Sequence, residues 1–194
     1  MITIGVDEAG RGPLVGSVVA AAVAFPANFQ INGLTDSKKL SEKKREELYA
    51  QIIKKCYWAS AESSSIEIDE INILQATMMA MKRAVNSLQH QLMSQAQVQD
   101  FKVLVDGNRC PDVENCEAII KGDLIQPVIS AASIIAKVTR DRQMKELDQT
   151  YPEYGFSRHK GYGTKEHLDA LAKHGPIVGQ HRFTFAPIKN LIRS

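Results

Sequence analysis

The sequence predicts one α/β layer protein, with helices on both faces of a largely mixed sheet. Short β-branched runs alternate with longer segments of helical periodicity, and Gly- and Pro-rich turns separate them. The chain has 194 residues, 44% of them hydrophobic, which suffices for a single domain with a substantial core.

Residues 2–6 (ITIGV) and 17–25 (SVVAAAVAF) read as two strands around a turn that suits a hairpin. Ser41 is placed as a helix N-cap, Glu42 follows in the first turn, and Leu48 and Ile52 share a face; residues 57–62 then form a third strand. Ile71, Leu74, Met78, Met81, Val85, Leu88 and Leu92 recur at spacings of three and four, the mark of a long helix with one apolar stripe. FKVLVDG (101–107) and EAIIKGD (117–123) are two more strands, each ending in a carboxylate, and a Pro-initiated helix follows over 127–147. A polar, Gly-rich segment at 155–164 and a last helix from about Thr164 to His174 complete the order.

The longest uninterrupted apolar stretch, Val18 to Phe25, is far shorter than the ~20 residues of a membrane helix. The start, Met1-Ile2-Thr3, lacks the basic residues of a signal peptide, so a cytoplasmic protein is expected. Three cysteines, Cys56, Cys110 and Cys116, are then expected as free thiols rather than as a disulfide framework. The spacing of the last two, with no second Cys/His pair of finger-like spacing, argues against structural zinc. Net charge is +2, but residues 158–194 carry seven Lys/Arg against two acids, so a basic C-terminal segment accompanies an acidic remainder. Such a division fits either a phosphate-facing patch beside an acidic site or an ordinary solvated face.

Asp7, Asp106 and Asp123 stand at predicted strand ends, where α/β sheets place their sites. They converge if those strands are parallel neighbours, a condition on topology. Glu8 joins Asp7 only if the chain bends there, because adjacent strand residues face opposite ways; Gly10 and Gly12 permit a bend. Clustered carboxylates repel and call for cations, and oxygen-only ligands select Mg²⁺ or Mn²⁺ over zinc. Singly, each acid also fits a turn position. Asp141 lies near an apolar helix face with Lys137 one turn earlier as its partner, and reads as structural.

Seven stretches carry a resemblance: DEAGRGP (7–13), DSKKLS (36–41), VDG (105–107), KGD (121–123), SAASIIAKVTRD (130–141), HKGYGT (159–164) and HRFTFAP (181–187). In this order, across nearly the whole chain, they resemble bacterial ribonuclease HII, the type 2 ribonucleases H. The resemblance implies a ribonuclease H-like fold, a five-stranded mixed sheet flanked by helices with its first and fourth strands parallel neighbours. It implies a metal-binding and catalytic quartet at Asp7, Glu8, Asp106 and Asp123, with two Mg²⁺ or Mn²⁺ ions as activators. The implied products carry 3′-hydroxyl and 5′-phosphate ends. The pattern of the related ribonuclease HIII, with Lys between the two glycines, fits less well because Arg11 is present. Thr184 stands where the family commonly has serine, and the hydroxyl is kept.

The resemblance further implies that the backbone of Gly10-Arg11-Gly12 and the side chain of Tyr162 read the RNA-to-DNA junction; alone, Tyr162 reads as a buried loop aromatic. Lys38, Lys39, Arg158, Lys160 and Lys165 are candidate phosphate contacts, or plain surface charge. His159, His167 and His181 receive no proton-transfer role. The expected partner is nucleic acid, either an RNA/DNA hybrid or a ribonucleotide-containing duplex, bound by a monomer. A structure-specific nuclease of the same fold and a non-catalytic nucleic-acid-binding module are the alternatives.

Overall fold

The computed structural model describes residues 1–29 and 31–192; the last two positions of the predicted basic segment, 193 and 194, lie outside the described residues. Along the chain come β1 (Ile2–Ala9), β2 (Val18–Ala24), α1 (Glu42–Lys55), β3 (Tyr57–Ser63), α2 (Ser65–Ala96), β4 (Phe101–Asp106) and β5 (Cys116–Ile119). There follow α3 (Gly122–Ile125), α4 (Pro127–Thr150), α5 (Phe156–His159), α6 (Lys165–His174) and α7 (Ala186–Leu191). The sheet order is β3-β2-β1-β4-β5. Within it β1 runs antiparallel to β2 and parallel to β4, so the convergence condition is met.

Every residue of β2 is buried, because both faces of the sheet are covered. On one face Ile4, Val6 and Ala22 pack beneath Ala80, Met81, Ala84 and Leu88 of α2. On the other, Ala21 and Val23 pack beneath Ile134, Ile135 and Val138 of α4, with Leu48 and Ile52 of α1 alongside. The approach of α4 is close: a Cβ on Gly5 would lie 2.2 Å from the Val128 backbone carbon. Only hydrogen fits there.

The α2 stripe has a break that periodicity did not show. Asn72 leaves helical geometry (φ 68°, ψ 162°), and its side chain accepts from the backbone N–H of Leu74 (3.0 Å) and Gln75 (3.2 Å). It thereby caps the longer half of the helix from within. Ser41 and Thr164 cap α1 and α6 through their side chains, the first as expected.

Three expectations are corrected. Strand β5 ends at Ile119; Lys121 takes a left-handed conformation (φ 57°), and Asp123 therefore lies in the first turn of α3 instead of at a strand end. The helix at 165–174 is not the last, since α7 follows and seats Ile188 in a third core cluster with Leu14, Val15 and Phe156. Cys110 and Cys116 are not free thiols but a disulfide, with Cα atoms 6.0 Å apart. The β4–β5 connection folds back on itself and brings both into bonding range, which chain separation alone did not reveal. Cys56 remains a thiol.

Candidate active site

The last paired rung of β1 with β4 is Val6 opposite Val105. The next residues, Asp7 and Asp106, therefore emerge side by side. Asp123 joins from α3, its backbone N–H 3.4 Å from Asp106 Oδ1. Each of the three offers a carboxylate oxygen within 4.8 Å of the other two. Burial, then the charges of Glu8 and Asp106, push the Asp7 carboxyl well above the usual carboxylate range. Burial and Asp106 raise Asp123 as well. The site thus concentrates negative charge in a poorly solvated place, and its donors are all hard oxygens; a divalent cation fits both features.

Glu8 is placed differently. Strand β1 runs on to Ala9, and Glu8 borders both the cleft beside Ser133 and Lys137 of α4 and the one beside Leu74 and Met78 of α2. It stands at the margin of the cluster, 3.5 Å from Arg11 Nη1. Burial and Asp106 raise its carboxyl, with Arg11 opposing them.

The turn after β1 is held from inside by two arginines that sequence reading passed over. Arg182 is fully buried, and its guanidinium donates to the carbonyls of Gly10 (2.6 Å), Arg11 (3.0 Å), Pro13 (2.8 Å), Gly16 (2.9 Å) and Ser17 (3.1 Å). Arg140, also buried, donates to Val15 (2.8 Å) and Ser17 (3.0 Å). Burial lowers Arg182 to about 9 and Arg140 to about 10, which leaves both charged at neutral pH. Both residues lie within quoted motifs, but nothing in sequence distinguishes a buried arginine from a surface one. Gly10 has φ +97°, and a Cβ there would meet Arg140 Nε at 2.8 Å. The turn therefore needs glycine for both shape and space.

Tyr162 is exposed rather than buried, and its ring borders Gly12, where an added Cβ would lie 3.3 Å from Tyr162 Cε1. The Gly10–Gly12 turn and Tyr162 share a cleft of about 320 Å³ with Ser37, Lys38, Ser133 and Lys160. Of the predicted cations, Lys38 and Lys160 line this cleft and Lys39 is exposed beside it. Arg158 is instead paired with Glu166, and Lys165 with Asp169. Lys137 donates to Asp141 at 2.6 Å, as expected for a structural carboxylate.

His167 and His181 are buried and linked through their Nε2 atoms at 3.2 Å. The Ile177 N–H donates to His181 Nδ1 at 2.8 Å, which assigns the proton of His181 to Nε2; His167 then carries its own on Nδ1, 3.0 Å from the Tyr162 carbonyl. This pair supports the Tyr162 loop and stands apart from the carboxylates. Thr184 Oγ1 donates to Asp69 at 2.6 Å, so the hydroxyl at this position anchors the C-terminal motif to α2.

Comparison with known proteins now adds to this geometry. Residues 4–188 match the family model described as Ribonuclease HII. The chain belongs to the ribonuclease HII family. It is 56% identical over 191 residues to the ribonuclease HII of Acinetobacter baylyi, covering 97% of this chain and 96% of that one. It is 54% identical over 196 residues to that of Neisseria meningitidis serogroup B, covering 99% and 96%. Among solved structures, the ribonuclease H2 of Pyrococcus horikoshii aligns with TM-score 0.77 at 28% identity, covering 100% of this chain and 98% of that one. Bst-RNase HIII in complex with Mn²⁺ aligns with TM-score 0.83 at 17% identity, covering 100% and 70%, a likeness of fold. The ribonuclease H-like sheet expected from the motifs is thus the one observed.

Proposed function

We propose that this ribonuclease HII family member hydrolyses the phosphodiester on the 5′ side of ribonucleotides, in RNA/DNA hybrids and at single ribonucleotides within duplex DNA. The products carry 3′-hydroxyl and 5′-phosphate ends. One observation carries the reading: Asp7, Asp106 and Asp123 converge beside a turn whose backbone is fixed by buried arginines.

Asp7, Asp106 and Asp123, with Glu8 at the margin, would hold two divalent cations, Mg²⁺ or Mn²⁺. When bound, such ions supply Lewis acidity at the phosphate and neutralise charge that develops during displacement. The protein's own share is positioning. The Gly10–Gly12 turn lets a sugar approach the backbone closely enough to sense a 2′-hydroxyl, and Tyr162 packs against the neighbouring sugar. Lys38 and Lys160 receive phosphates of the same strand, which sets register without reading sequence.

We read residues 1–194 as one catalytic domain with a basic C-terminal helical segment, acting in the cytoplasm as a monomer. Among the described residues no helix is long and apolar enough to cross a membrane. The deciding experiment is incubation with Mg²⁺ or Mn²⁺ and a labelled duplex bearing one ribonucleotide, beside an all-DNA duplex. A single cut 5′ to the ribonucleotide is expected. An intact ribonucleotide substrate, or equal cutting of both duplexes, overturns the reading.

A further inference from the structure

A second cleft, of about 230 Å³, opens on the α2 side of the carboxylates. Its walls include Asp106, Asn108 and Arg109, and its floor is made by Leu74, Met78 and Met81. Glu8 and Arg11 line this cleft and the Tyr162 cleft alike, so the two adjoin at that ion pair as halves of the surface around it. Nothing in the recognition of a ribonucleotide by the Gly10–Gly12 turn accounts for the second half.

Arg109 is its distinctive group. It is exposed, three residues after Asp106, and among the described residues its guanidinium has no hydrogen-bond or ion-pair partner. Arg11, the other cation of this cleft, is paired with Glu8; in the Tyr162 cleft Lys137 is paired with Asp141 and Lys160 donates to the Ser157 carbonyl, while the Lys38 side chain, like that of Arg109, has no hydrogen-bond or ion-pair partner among the described residues. The segment that bears Arg109 is also anchored, since the next residue, Cys110, is bonded to Cys116 of β5, and Asp112 pairs with Lys82 of α2. A free guanidinium on an anchored loop, above an apolar floor and beside the reacting site, suits a phosphate whose sugar rests on Leu74 and Met78.

We propose that Arg109 is a phosphate-binding residue of the second cleft, holding the nucleic-acid strand on the side of the carboxylates opposite Tyr162. The proposal rests on the functional reading above. It assigns Arg109 to affinity and register, not to the chemical step or to ribose selectivity, because a phosphate contact carries no information about the sugar.

The test is single-turnover cleavage of a one-ribonucleotide duplex in Mg²⁺, with enzyme titrated at several salt concentrations. This yields a half-saturating enzyme concentration and a plateau rate for wild type, Arg109→Ala and Arg109→Lys. For Arg109→Ala, half-saturation should rise roughly three- to tenfold near 0.1 M salt, with the plateau rate within about twofold of wild type. Its log–log salt dependence should be shallower by about one unit, and Arg109→Lys should restore the slope. An unchanged slope for Arg109→Ala overturns the proposal, as does a loss confined to the plateau rate. If Arg109→Ala does not fold, Arg109→Gln carries the same comparison. Failure of the wild type to cut would instead overturn the functional reading, so the two failures are distinct.

Discussion

Arg182 Nη2 donates to the Gly10 carbonyl at 2.6 Å, across 172 residues of chain. One guanidinium near the C-terminus thereby shapes the turn that follows β1. Its fork serves five carbonyls, of which that of Ser17 also accepts from Arg140.

Arg182→Ala should lower stability by at least about 3 kcal/mol in urea unfolding, since buried carbonyls lose their charged donor. Arg182→Lys keeps the charge but cannot reproduce the fork. It should fold with a smaller loss while its preference for the ribonucleotide duplex over all-DNA falls. Full selectivity in a folded Lys variant would show that the turn holds its shape without the fork.

Asp106→Asn removes one charge from the cluster while keeping the side chain's shape. Turnover should fall by orders of magnitude, and thermal stability should hold or rise, because Asp106 is among the charges that raise Asp7, Glu8 and Asp123. Near-normal activity would remove Asp106 from the site. Asp141→Asn is the matched control; a loss larger there than for Asp123→Asn would exchange the roles of those two residues.

Tyr162→Phe should retain more cleavage than Tyr162→Ala, because the ring beside Gly12 is kept. A phosphate displaced by about 1 Å can cost ~10²-fold, so the alanine variant should turn over slowly while still binding metal and duplex. Both should leave all-DNA duplex uncut. Single-turnover rates, with metal affinity followed separately, decide; equal rates for all three forms would show that the ring does not position the junction.

Burial and the neighbouring His167 lower His181 to about 4, against 6.5 for a free histidine. A histidine depressed in the folded state binds its proton in the unfolded chain first. Its stabilising contribution is therefore complete above about pH 6.5 and is lost as pH falls towards 4. The loss should be on the order of 2–3 kcal/mol. Urea unfolding of wild type and His181→Asn between pH 7 and 4 should give converging stabilities; parallel curves would mean that His181 is not held neutral.

Thiol titration of the unfolded, unreduced protein should find one cysteine, Cys56, and three after reduction. The disulfide closes a loop of seven residues, for which chain entropy gives about 2 kcal/mol, so Cys116→Ser should lose roughly that much stability. Three thiols before reduction would show the pair to be open.

Much of this protein was legible in its sequence. Period-two and period-3.6 patterning is local, and it found all five strands and the helices over 42–55, 65–96, 127–150 and 165–174, with the end of β5 overrun by four residues and the first six residues of α2 left out. Seven ordered motifs named the family, and with it the parallel pairing of the first and fourth strands. Tertiary structure alone decided which side chains share a site. Asp123 reaches Asp106 from a helical turn because Lys121 reverses the chain, and Glu8 stands at the margin of the three aspartates, paired with Arg11. Arg182 and Arg140 become the supports of the Gly10–Ser17 turn only once distant segments pack, and the Cys110–Cys116 bond exists only because a loop closes. Burial and partner choice are properties of packed distance, and that quantity is absent from the order of residues along a chain.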